Sequence, residues 1–121
     1  MNEKELELIK RIKYEAICLM YSCKESRNII FSDQNNKEIK CLAKLVVAQG
    51  HLSCIKSIYF TSIDDKRESI DKFIYQSDTF IDEITNNIAT DHSHQWTDIE
   101  YLKLAEIYDY SVLSDTTFFS E

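Results

Sequence analysis

Proline is absent from this 121-residue chain and glycine occurs once, at Gly50. β-Sandwiches and barrels need a tight turn at every hairpin, and these two residues usually supply many of them. Without them, chain breaks fall to Asn, Asp and Ser, which points to few, long elements and hence to helices. The same scarcity excludes a glycine-rich phosphate cradle. It also removes the turns that usually present the backbone donors of an oxyanion hole. Long apolar runs are missing as well. The longest, Ala16-Ile17-Cys18-Leu19-Met20-Tyr21, falls far short of the roughly 20 residues that span a bilayer, as does Leu45-Val46-Val47-Ala48. The opening Met1-Asn2-Glu3-Lys4-Glu5-Leu6-Glu7 is acidic and amphipathic, the reverse of a secretory signal, so the expected location is the cytoplasm.

The four cysteines, Cys18, Cys23, Cys41 and Cys54, contain no C-x-x-C pair of the kind a zinc or redox site shows. They sit among apolar residues, so the expectation is buried free thiols that behave as small hydrophobes. Charge is present but unevenly shared. Residues 1–61 carry ten Lys/Arg and seven Asp/Glu, a balance of +3, whereas residues 62–121 carry four and fourteen, a balance of −10. So much excess charge of one sign in half a small protein repels itself, which suggests a basic partner.

The periodicity predicts four amphipathic helices. The first opens at Asn2 as N-cap with Glu5 three residues on, and buries Leu6, Ile9, Ile12, Ala16, Ile17, Met20 and Cys23. A Glu7–Arg11 pair supports it, and it ends near Ser26. Ile29-Ile30-Phe31 reads as an apolar plug or a last turn, and Ser32 to Asn36 as a loop. The second pattern, from Lys37, includes Ile39, Leu42, Ala43, Val46 and Val47 and continues through Leu52, Ile55, Ile58 and Tyr59. It is either one helix over 37–60, bent at Gly50, or two shorter helices meeting there; one bent helix is the preferred reading. Ser62 caps the third helix, whose stripe is Ile70, Phe73, Ile74, Ser77, Ile81, Ile84 and Ile88. In the fourth, Thr97-Asp98-Ile99-Glu100 forms a capping box and Trp96 with Tyr101 a hydrophobic staple. Its buried face is Ile99, Leu102, Ala105, Tyr108 and Val112. The expected fold is an all-α, single-domain antiparallel bundle of about four helices over 1–121, with 113–121 as a fraying tail.

One constellation points to recognition. Glu68, Asp71, Tyr75, Asp78 and Asp82 are spaced 3, 4, 3 and 4, so they share one face of the third helix. Four carboxylates around a rigid aromatic suit the Lys and Arg side chains of a partner. The plainer alternative is a solvated helix face. Asp98, Glu106 and Asp109 on the fourth helix could extend that surface. Asp91-His92-Ser93-His94 has metal-ligating residue types, but the remaining candidates, His51 and Cys54, belong to another element, so no metal or cofactor is expected. His51 and Cys54 lack the orienting group and oxyanion donors of a nucleophilic site, so no catalytic residue is assigned. An isoelectric point near 4.9 disfavours direct nucleic-acid binding despite Lys10, Arg11, Lys13 and Lys24. The resulting expectation is a non-enzymatic acidic inhibitor of a basic protein, such as an immunity protein against a nuclease toxin. The alternative is a non-catalytic structural or regulatory adaptor that self-associates or pairs through apolar helix faces.

Overall fold

The structure, a computed structural model, describes residues 2–30 and 32–89, with the side chains of 87–89 left aside. Three helices account for most of them: α1 (Glu3–Ile30), α2 (Lys37–Ser62) and α3 (Glu68–Ala89). No strand occurs among the described residues. The all-helical class expected from the proline and glycine count is therefore observed. The expected fourth helix at 97–112 lies outside the described residues.

α1 begins as its sequence dictates. The Glu5 amide donates to Asn2 Oδ1 at 2.8 Å, the N-cap bond, with Glu3 and Glu5 in the positive first turn. The helix does not stop at Ser26. Ser26 Oγ donates back to the Cys23 carbonyl at 2.7 Å, so this polar residue is satisfied inside the helix and buried there. Ile29 and Ile30 form the last turn, and Ile30 enters the core. Asn36 then takes a left-handed backbone (φ 56°, ψ 36°), a conformation asparagine tolerates, and turns the chain into α2.

α2 is one helix through Gly50. It runs antiparallel to α1: Glu25, Glu15 and Glu5 of α1 meet Lys44, His51 and the Asp64 amide in turn. The residues that α2 buries are Cys41, Leu45, Ala48, Leu52, Ile55 and Tyr59, spaced 4, 3, 4, 3 and 4. This corrects the expected buried face in the first half of the helix. Ile39, Ala43, Val46 and Val47 all point to solvent. Side-chain volume explains the choice: the buried stripe holds Leu45, Leu52, Ile55 and Tyr59, whereas its rival includes Ala43, Gly50, Ser53 and Ser57. On α1, Leu6 is likewise exposed, and Leu19 fills the core instead.

Ser62 closes α2 and does not cap α3, which corrects a second expectation. The boundary is set by contacts further along the chain. Lys66 Nζ donates to the carbonyls of Tyr59 and Ile63, covering the negative end of α2, and lies 4.5 Å from the Tyr59 ring centroid. The buried Tyr59 hydroxyl accepts from the Arg67 amide at 2.7 Å and donates to the Arg67 carbonyl at 3.1 Å. The 63–67 link is thereby tied to α2, and α3 starts only at Glu68. From there α3 buries Ile70, Phe73, Ile74, Ser77, Phe80, Ile81 and Ile84 in the common core. It packs against α2, which also packs against α1.

Candidate protein-binding surface

α3 is the most strongly one-sided helix. With its isoleucines and phenylalanines turned inward, the 3–4 spacing sends Glu68, Asp71, Tyr75 and Asp82 outward, and all four are exposed. Tyr75 is 71% exposed, so a large aromatic ring stands in water among carboxylates. Glu68, Asp71 and Asp82 form no ion pair among the described residues. Lys72 stands beside the stripe as the one cation of α3. Asp78 differs from its neighbours: it is half-buried, and its Oδ2 is held 2.6 Å from Lys56 Nζ on α2. That carboxylate is engaged in joining two helices and flanks the exposed group. Asp98, Glu106 and Asp109 lie outside the described residues.

A second surface went unrecognised in the sequence. The outward face of α2 runs through Ile39, Ala43, Val46, Gly50, Ser53, Ser57 and Phe60, spaced 4, 3, 4, 3, 4 and 3, with Val47 alongside. Every one of these residues is exposed, Val46 to 70%, and a Cβ placed on Gly50 would meet nothing within 4 Å. No charged residue interrupts the strip. The signal was available: α2 has two heptad-spaced stripes, and only the larger-volume one can serve as its core face.

The titratable groups inside the fold are used for helix pairing. Glu15, buried on α1, accepts from Arg11 Nε at 3.1 Å and meets His51 Nδ1 of α2 at 2.5 Å. Arg11 thus pairs with Glu15 and not with the expected Glu7, which pairs instead with Lys10 at 3.2 Å. His51, the candidate base beside Cys54, is committed to this contact. All four cysteines are free thiols; Cys23 and Cys41 are buried, while Cys18 and Cys54 are half-buried. Burial pushes the Cys41 thiol up to about 11, which keeps it protonated and inert as a nucleophile. No group of three or more His, Cys, Asp or Glu suited to a metal ion occurs among the described residues. No described helix is long and apolar enough to cross a membrane.

Among the described residues these features define an all-helical unit with two uncovered faces, one acidic and one uncharged. No family model matches the chain, and neither a curated protein nor a solved structure matches it.

Proposed function

We propose that this protein is a non-catalytic acidic inhibitor that binds a basic partner protein, with a nuclease toxin as the best-fitting target. In this reading the chain is cytoplasmic, and its acidic face covers the cationic cleft with which the partner grips nucleic acid. The observation that carries it is the outward face of α3, where Glu68, Asp71 and Asp82 surround the 71%-exposed Tyr75. Aromatic anchors ringed by polar groups are where binding energy concentrates. Complementary charge speeds encounter and rejects wrong partners. Asp78 and, further along the chain, Asp98, Glu106 and Asp109 belong to the same acidic surface, within a bundle of about four antiparallel helices.

The direct test uses Asp71→Lys with Asp82→Lys, which leaves the Lys56–Asp78 bridge intact. Wild type and variant are compared as bait in native lysate at low and at physiological salt. Affinity for the recovered protein is then measured by calorimetry. The expected loss is about 2 kcal/mol or more, roughly 30-fold, with helicity unchanged. Equal affinity for the two baits would remove α3 from the interaction. The second reading, an adaptor that pairs through apolar helix faces, is favoured by one observation, the exposed uncharged strip of α2. Salt-insensitive capture of a neutral protein would support the adaptor over the inhibitor.

A further inference from the structure

We infer that Tyr59 is a latch between the end of α2 and the start of α3, so that the 63–67 link and the first turn of α3 open together while the α1–α2 pair stays intact. The entry to α3 is Asp64-Asp65-Lys66-Arg67, and Arg67 stands at the N-cap position. An arginine side chain has no acceptor to offer the free amides of a first helical turn. Burial does not hold this stretch either. Ile63 and Ile70 are buried, but residues 64–69 between them are exposed or half-buried. Their place is set by polar contacts, among them the Asp64 amide donating to Glu5 Oε1 of α1 at 3.4 Å.

Tyr59 engages that stretch through its hydroxyl, its ring and its carbonyl. The side chain is fully buried, and the hydroxyl accepts from the Arg67 amide at 2.7 Å and donates to the Arg67 carbonyl at 3.1 Å. The same carbonyl accepts from the Asp71 amide at 3.0 Å, the backbone bond that opens α3. One buried hydroxyl therefore orders both the residue that enters α3 and the acceptor of its first helical bond. Lys66 closes the latch from the other side. Its ammonium lies 4.5 Å from the ring centroid and donates to the Tyr59 and Ile63 carbonyls. α1 and α2 are joined elsewhere, by Glu25–Lys44, Glu15–His51 and the core around Leu19 and Leu52, so they remain paired when the latch opens. Opening carries Glu68 and Asp71 away from Asp82, about three turns further along α3. The acidic face is thus whole only while the latch is closed, whether or not that face binds a partner.

The test is backbone amide hydrogen exchange, read by nuclear magnetic resonance on the full chain. In the wild type the Arg67 and Asp71 amides should show equal protection, at least about tenfold below that of Leu52 and Ile55, as expected of one shared local opening. Tyr59→Phe keeps the ring in the core and removes only the hydroxyl. The Asp71 amide, whose own acceptor is untouched, should then lose about a further tenfold in protection. Lys66→Met, at an exposed position, carries the test even if Tyr59→Phe fails to fold; Arg67 and Asp71 should lose about threefold together. An Asp71 amide unchanged in either folded variant overturns the latch, because its opening would then be independent of Tyr59. So does wild-type protection of Arg67 and Asp71 equal to that of Leu52 and Ile55, since the segment would then open only with the whole protein. None of these readouts involves the partner proposed for α3, so the two ideas fail separately.

Discussion

α2 and α3 each bury one face and leave the opposite one uncovered, and the two uncovered faces are chemical opposites. On α3, water meets Glu68, Asp71, Tyr75 and Asp82; on α2, it meets Ile39, Ala43, Val46, Gly50 and Ser53. A solvated helix face needs no explanation when it is charged, because hydration stabilises it. An uncharged heptad strip of some 20 residues gains nothing from water and exposes large apolar side chains. The acidic face therefore raises a question of recognition, while the α2 strip raises a question of coverage. Charge marks the first kind of surface in a sequence at once. The second kind is hidden, because its composition resembles that of a core.

The largest effect separates the two stripes of α2 itself. Leu52 is fully buried in the core, and Leu52→Ala should cost about 2–5 kcal/mol in urea unfolding. Val46→Ala, one and a half turns away on the open side, should cost about 1 kcal/mol or less even with an occupant in place. Equal losses would mean that both stripes are core, and the contrast between α2 and α3 would collapse.

A smaller effect, of opposite sign, tests the inner side of α3. Ser77 is fully buried within the isoleucine stripe, and its hydroxyl has no hydrogen-bond partner among the described residues. Burying an unpaired hydroxyl costs free energy that a methyl group avoids. Ser77→Ala should raise stability by about 1 kcal/mol and leave the acidic face and its partner affinity untouched. A loss of stability would show that the hydroxyl is satisfied in solution and that the inner face of α3 is more polar than its stripe suggests.

The contrast also explains which parts of the fold were legible. α3 has a single apolar stripe, Ile70 to Ile84, so its inner and outer faces could be read directly, and with them the exposure of Glu68, Asp71, Tyr75 and Asp82. α2 has two stripes, and periodicity alone does not weigh Leu52 against Gly50 or Ile55 against Ser57. Helix ends failed for another reason. Ser26 and Ser62 look like punctuation, but the Ser26 hydroxyl is satisfied by Cys23 within α1. The end of α2 is set by Tyr59, Lys66 and Arg67, residues up to eight apart. The same limit applies to Asp78 and Arg11, whose partners Lys56 and Glu15 emerged only once the helices were packed.

The smallest effect is also the sharpest probe of the uncovered strip. Gly50 lies mid-helix with open space where a Cβ would sit, so Gly50→Ala should stabilise α2 by about 0.5–1 kcal/mol through lower backbone entropy. Ala43, Ser53 and Ser57 already present a Cβ on the same strip, so one more methyl suits an occupant that rests on them. Thr79→Ala is the matched control on the exposed side of α3, with a propensity gain of about half a kcal/mol. Thermal unfolding of both variants should show two small rises. A rise at Thr79 with a fall at Gly50 would mean that a backbone or side chain lies against Gly50 at closer range than a docked helix needs, so the groove of α2 would be filled to its floor. A rise at both positions shows that the face above Gly50 is open, and keeps the difference between the two faces one of chemistry and not of access.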